Sequence, residues 1–192
     1  YTRTDHRDTA IQEAAGAYGL GLETGITLPF EQNGYLPTPA NRRQRNELNP
    51  IAFPEWGWST GDNVITAIGQ GEVLVTPLQL ANAFATFANG GIRLSPNVVS
   101  RVVERDGSVV RQFGPRVLSE VAIDPGFRWR VLEGLSGVTA DEEGTAYQAF
   151  NSLATGGAYF PLETYPVAGK TGTAEVRGKA DTSLFAAFGP VL

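Results

Sequence analysis

Residues 63–81 read Asn-Val-Ile-Thr-Ala-Ile-Gly-Gln-Gly-Glu-Val-Leu-Val-Thr-Pro-Leu-Gln-Leu-Ala. The second half of this stretch opens a helix. Thr76 is a capping residue, and Pro77 suits the first helical position, where its missing N–H costs no hydrogen bond. Gln79 stands three residues after the cap and closes a capping box. From there Leu78, Ala81, Ala85 and Ala88 recur at helical spacing, and Leu80, Phe84 and Phe87 widen the apolar stripe. So broad a band predicts a helix buried on most sides. It should stop at Asn89-Gly90-Gly91. Gly69-Gln70-Gly71 reads as a turn: it is too short for a phosphate loop and lacks the Gly-Lys-Ser/Thr ending.

Upstream, Thr9-Ala10-Ile11-Gln12 has capping-box spacing, and the short helix that follows should end at Gly19. Residues 21–61 hold Pro29, Pro37, Pro39, Pro50 and Pro54. They read as a long turn-rich connection, of a length usually reserved for functional loops. The cluster Arg42-Arg43-Gln44-Arg45 within it reads as a solvated loop face. Downstream, Val98–Val103, Asp106-Gly107 and Val109-Val110 predict a hairpin with positive φ angles at its tight turn. Asp124-Pro125 opens a helix with Trp129, Leu132 and Leu135 on one face, which Glu143-Gly144-Thr145-Ala146 breaks or redirects. Residues 167–176 and 184–188 read as two strands, joined by a turn through 177–181. Trp56, Trp58 and Trp129 read as packing anchors. No internal repeat is visible.

The 192 residues suffice for one domain, which at this length buries roughly 70% of its unfolded surface. The formal net charge is −5 with both signs dispersed, which argues against nucleic-acid binding through phosphates. With no cysteine and one histidine, disulfides, thiolate catalysis and Cys-zinc sites are excluded, and a metal site lacks ligands. His6 lies in a polar stretch, and no Gly-x-Ser-x-Gly elbow exists to join it in a hydrolytic triad. Asp141, Glu142 and Glu143 read as a solvated helix end rather than as catalytic carboxylates. No signal peptide or membrane span is visible, so the chain reads as an internal segment whose anchor lies outside it.

The chemistry concentrates in Gly169-Lys170-Thr171-Gly172-Thr173-Ala174-Glu175. On a strand, Thr171 and Thr173 share one face, so two hydroxyls can meet a carboxylate together. Lys170 supplies a cation, and lysine is otherwise present only at position 179. Gly172 lets a ligand lie close to the backbone. An extended edge can pair with a peptide as an added strand, and one of its amides can stabilise an oxyanion. Taken alone, the Lys-Thr-Gly tripeptide fits a solvated lysine on an ordinary edge strand better. With Ser-x-x-Lys and a Ser-x-Asn-type triplet it forms the serine acyl-transferase set.

Several stretches, in order, resemble class B penicillin-binding proteins. They are Gly19-Leu20-Gly21 with Thr24-Gly25-Ile26 and Leu28-Pro29, Trp58-Ser59-Thr60-Gly61-Asp62, Gly69-Gln70-Gly71 leading into Thr76-Pro77-Leu78-Gln79-Leu80-Ala81, Ala88-Asn89-Gly90-Gly91, Glu143-Gly144-Thr145-Ala146, and Lys170-Thr171-Gly172. The resemblance spans residues ~15–190, and most of these stretches carry structural roles, a capped core helix and tight turns. It implies the α/β (α+β) penicillin-binding transpeptidase fold, shared with serine β-lactamases: an antiparallel sheet flanked by helices, a helical subdomain, and a site at their junction.

No serine here begins Ser-x-x-Lys. Ser108-Val109-Val110-Arg111 comes nearest, but arginine cannot serve as a base, and Ser95-Pro96-Asn97 stands where the family has a loop. Both true serine motifs of the family precede Tyr1. The resemblance therefore implies a partial transpeptidase domain over 1–192, lacking its nucleophile and its last strand and helix. It further implies a peptidoglycan D,D-transpeptidase that cross-links D-Ala-D-Ala stem peptides through an acyl-serine and is acylated by β-lactams. Lys170 and Thr173 would be catalytic, with the Thr173 amide as oxyanion donor, and Thr171, Gly172 and Thr173 would bind substrate. No metal or organic cofactor is implied. A membrane glycosyltransferase is an implied partner, and the extracytoplasmic face of the plasma membrane the implied location. A β-lactam sensor or a serine β-lactamase is the alternative, disfavoured by the full Gly-Gln-Gly to Leu-Ala run.

Overall fold

The computed structural model describes residues 9–151, 160–176 and 178–191. His6 and Arg177 lie outside them. The chain forms two compact units. The first holds the chain up to Ala83 together with Ile92–Ser119, and the second holds Phe84–Gly91 and the chain from Glu120 onward.

In the first unit, α1 (Ala10–Ala17) ends where Gly19 turns the chain at φ 91°. The expected box at its start does not form. The Thr9 hydroxyl donates to Glu13 at 2.7 Å, while Gln12 turns inward, 4% exposed, and donates to Asn63. The Gln12 side chain is thereby turned away from the Thr9 amide it was expected to cap.

The turn-rich stretch contains a helix that the prolines conceal, α2 (Pro39–Leu48). Thr38 caps it with Asn41 in the reciprocal position: the Thr38 amide donates to Asn41 Oδ1 at 2.7 Å, and the Asn41 amide to Thr38 Oγ1 at 3.1 Å. The arginine cluster is therefore helical, and it is paired rather than merely solvated. Arg42 bridges Asp62 at 2.8 Å and Glu72 at 2.9 Å, and Arg45 joins Glu72 at 2.9 Å. The Arg42 guanidinium also lies 4.6 Å over the Trp58 ring.

Asp62 sits in the first turn of α3 (Thr60–Ala67), where a carboxylate also favours the helix dipole. It accepts from the Ser59 amide and hydroxyl, each at 2.7 Å. The Ser59 hydroxyl, with Arg42 behind it, outweighs burial and holds the Asp62 carboxyl at about 2, below its usual 3.8.

The box predicted at Thr76 is present in α4 (Pro77–Ala88). The Thr76 amide donates to Gln79 Oε1 at 2.9 Å, and the Gln79 amide to Thr76 Oγ1 at 3.1 Å. Gln79 is 1% exposed, and its Nε2 holds the Leu22 and Asn33 carbonyls at 2.7 Å each. The buried stripe of α4 is Gln79, Ala83 and Thr86, while Ala81 and Ala85 are exposed, so the helix is not buried on most sides. β1 (Ile92–Ser95) pairs with β4 (Arg116–Glu120). β2 (Arg101–Val103) and β3 (Val109–Gln112) form the expected hairpin, begun later than Val98. Its turn spans Glu104–Ser108, and of the Asp-Gly pair only Gly107 takes a positive φ.

In the second unit, α5 (Pro125–Ala140) starts at Asp124, whose carboxylate accepts from the amides of Gly126 and Phe127. Arg128 caps the end of α4 by donating to the carbonyls of Phe87 and Ala88 at 3.3 and 2.7 Å. Leu132 and Thr139 are the buried positions of α5. Trp129 is 64% exposed and Trp56 56%, so of the three tryptophans only Trp58 acts as an anchor. The chain then turns into α6 (Tyr147–Asn151). β5 (Ala168–Ala174) and β6 (Thr182–Phe188) pair antiparallel in unbroken register, from Ala168 opposite Phe188 to Ala174 opposite Thr182. Aromatic side chains of helices touch each face of this ladder. Phe84 and Phe87 of α4 lie 6.5 and 6.1 Å from the Phe188 ring, and Phe150 of α6 lies 5.8 Å from Phe185. Phe185 and Phe188 are three apart on one strand and so project to opposite sides.

The apolar core is small. Among the described residues the buried apolar side chains are Pro37, Ala83, Leu132, Ala146 and Ala168, while Ile51, Phe30 and Phe127 are largely exposed.

Acid should act on this structure through Asp62. Its carboxyl is held below the ordinary value, so its contribution is complete above about pH 4 and disappears as pH falls from 4 towards 2. Thermal denaturation across pH 2–7 should show that loss, and Asp62→Asn should flatten it. An unchanged acid slope in the variant would contradict the assignment.

Candidate active site

β5 positions the residues that carry the chemistry. Its period of two sends Gly169, Thr171 and Thr173 to one face, with Phe185 across from Thr171, and Lys170 and Gly172 to the other. Gly169 is buried under the Phe185 ring: a Cβ there would come within 2.8 Å of the ring and 2.9 Å of the Ala186 carbonyl. Gly172 is different. It is exposed, and a Cβ would meet only Leu184, at an ordinary 3.8 Å. The protein's own packing thus explains a glycine at 169 and leaves the one at 172 unexplained. A bare backbone at 172 is what a ligand lying along the strand requires.

Lys170 is exposed, and its Nζ donates to the Thr171 carbonyl at 2.7 Å. The ammonium folds along the strand rather than out into water. Thr171 is half-buried, and Thr173 is exposed on the same face. Along β5 the structure therefore gathers Lys170, Thr171, Gly172 and Thr173 as the sequence placed them. Among the described residues β5 has one strand partner, β6.

α5 holds the start of this strand. Thr139 is fully buried, and its hydroxyl donates to the Val167 carbonyl at 2.6 Å, just before β5. Asn151 of α6 donates to the Thr139 carbonyl at 2.9 Å. A hydroxyl that sequence reasoning assigned only a structural place also arrives here. Thr145 Oγ1 lies 2.7 Å from Thr171 Oγ1. The two residues are 26 apart in the chain, so no local periodicity could have joined them.

The serines considered in the sequence are occupied elsewhere. Ser95 ends β1, donates its hydroxyl to the Gly25 carbonyl at 2.6 Å and accepts from Arg116 at 3.0 Å. Ser108 closes the β2–β3 turn, where its amide donates to Asp106 at 2.9 Å. Neither belongs to β5 or to the elements that hold it. Asp141, Glu142 and Glu143 are exposed at the end of α5. No group of three metal-ligating side chains occurs among the described residues.

The two glycines should separate by substitution. Gly169→Ala should cost about 1–3 kcal/mol through overpacking against Phe185. Gly172→Ala should change stability by less than about 1 kcal/mol. Denaturant unfolding of the two variants measures the difference, and equal losses would remove the distinction drawn between them.

Comparison with known proteins identifies the family. Residues 3–190 match the family model described as the penicillin binding protein transpeptidase domain. Peptidoglycan D,D-transpeptidase MrdA of Escherichia coli K12 is 31% identical over 168 residues, which cover 88% of this chain and 24% of MrdA. A structure titled as the coordination of polymerization and crosslinking by a peptidoglycan synthase complex superposes with a TM-score of 0.63 at 34% identity, covering 88% of this chain and 23% of that one. The imipenem acyl-enzyme complex of penicillin-binding protein A from M. tuberculosis superposes at 0.60 and 25% identity, covering 92% and 33%. The chain spans about a quarter of the length of the curated relatives it matches. Strand, helices and family model agree: this chain belongs to the transpeptidase-domain family of class B penicillin-binding proteins.

Proposed function

We propose that these residues form the substrate-carboxylate wall of a peptidoglycan D,D-transpeptidase, and that its attacking serine comes from polypeptide outside them. The observation that carries this proposal is the exposed Lys170-Thr171-Gly172-Thr173 strand, with a glycine at 172 that the fold itself does not require. The small apolar core supports the second part, because side chains such as Trp129 and Ile51 leave apolar area for further polypeptide to cover.

In the proposed reaction the serine hydroxyl adds to the carbonyl of the penultimate D-Ala of a stem peptide. The Thr173 amide takes up the charge that develops on that oxygen. The peptide C–N bond breaks, D-Ala leaves with a proton on its nitrogen, and an acyl-serine remains. An amine of a neighbouring stem then attacks the ester, forms the cross-link and restores the serine. Lys170 assists the proton transfer through a serine of the second family motif and attracts the terminal carboxylate, which the Thr171 and Thr173 hydroxyls bind. β-Lactams present a strained amide and a carboxylate at the same spacing and acylate the same serine. The chemistry requires no metal or organic cofactor.

The proposed substrates place the reaction on the extracytoplasmic face of the plasma membrane. No helix among the described residues is long and apolar enough to cross a membrane. A membrane glycosyltransferase that polymerises glycan is the proposed partner. The relative described as coordinating polymerization and crosslinking supports it.

In the intact protein, Lys170→Ala should slow acylation by a fluorescent penicillin roughly 100-fold or more, the scale of lost proton-transfer assistance. Unchanged acylation would refute the role of Lys170. The 192-residue chain alone should not be labelled at all, and covalent labelling of it would show that it holds its own nucleophile.

A further inference from the structure

The turn between α5 and α6 is built to present one hydroxyl. Gly144 lies so close to the last turn of α5 that a Cβ would come within 2.3 Å of the Gly137 carbonyl and 2.6 Å of that of Val138. Only glycine permits this approach. The Gly144 amide donates to the Asp141 carbonyl at 2.8 Å, and the Ala146 amide to that of Val138 at 3.0 Å. Ala146 is buried. Thr145 is thus flanked by two residues anchored to the end of α5, while its own side chain is exposed. These bonds hold the backbone on either side of it.

That fixed point is tied to β5 twice. Thr139, the penultimate residue of α5, grips the Val167 carbonyl. Four residues further along the strand, the Thr145 hydroxyl reaches that of Thr171 at 2.7 Å. The first bond sets where β5 begins, and the second acts on the side chain proposed to meet the substrate.

We propose that Thr145 is a positioning residue that sets the rotamer and proton direction of Thr171 for ligands bearing a carboxylate. This rests on the reading that Thr171 binds the substrate carboxylate. A hydroxyl has one proton and two lone pairs, and an ionised carboxylate only accepts. When Thr171 donates to the carboxylate, its proton is committed there, and the bond between the two threonines must then run from Thr145 to Thr171. The resulting chain, Thr145 to Thr171 to carboxylate, polarises in one direction, and each bond strengthens the next. Without Thr145, the Thr171 hydroxyl has to be oriented by the ligand itself.

The test uses the intact protein and second-order acylation rates with a carboxylate-bearing penicillin and with its methyl ester. Thr145→Val keeps the shape and removes the hydroxyl. It should slow acylation by the carboxylate form roughly three- to tenfold, the scale of one hydrogen bond, and leave the already slow ester within about twofold. Thr145→Ser should restore the carboxylate rate. Equal slowing of both compounds by Thr145→Val would mark a general structural effect and overturn the proposal. So would a wild-type rate in Thr145→Val alongside a slowed Thr171→Val, with the role of Thr171 left standing. Wild-type rates in Thr171→Val itself would remove the underlying reading and the proposal together.

Discussion

The unbroken antiparallel register of β5 on β6 is the constraint from which the candidate site follows. Once Ala168 faces Phe188 and Thr171 faces Phe185, the two-residue period leaves no choice about the rest. One face receives two hydroxyls, and the other receives an ammonium and a bare glycine. Aromatic packing on both sides holds that register against slippage, since a one-residue shift would exchange Phe185 and Phe188 between helices α6 and α4. Gly169 completes the lock, because the Phe185 ring occupies the space where its side chain would stand.

Much of what fixes position within each unit is polar. Thr139 is buried with its hydroxyl on a backbone carbonyl, and Gln79 is buried with its amide satisfied at both ends. Such groups add little net stability but are costly to leave unpaired, so they define position more than they contribute energy. Helix and strand placement thus survives with few fully buried apolar side chains.

The sequence was most legible where structure is local. The cap at Thr76, the cap at Asp124, the hairpin around Gly107 and the strand alternation at 168–174 each depend on residues within a few positions, and each formed. It misled where distant partners decide. α2 was hidden by its prolines and by arginines that look like a solvated loop, because Asp62 and Glu72, which pair with Arg42, lie 20 and 30 positions away. Gln12 had capping spacing but was drawn inward towards Asn63. Trp129 fell on the same periodic face as Leu132, but Leu132 is buried and Trp129 is 64% exposed. For the candidate site, the strand residues were legible because they are contiguous. Thr145 was not, because its meeting with Thr171 depends on how the α5–α6 turn lies on the end of α5.

The central claim is that the Thr171–Thr173 face of β5 receives the ligand's carboxylate. A crystal structure of the intact protein acylated by a β-lactam tests this most directly. The ligand's carboxylate should lie within hydrogen-bond distance, about 2.5–3.0 Å, of both threonine hydroxyls. Its ester carbonyl should accept from the Thr173 amide. An acyl adduct whose carboxylate is held by other side chains, with this face of β5 out of reach, would contradict it.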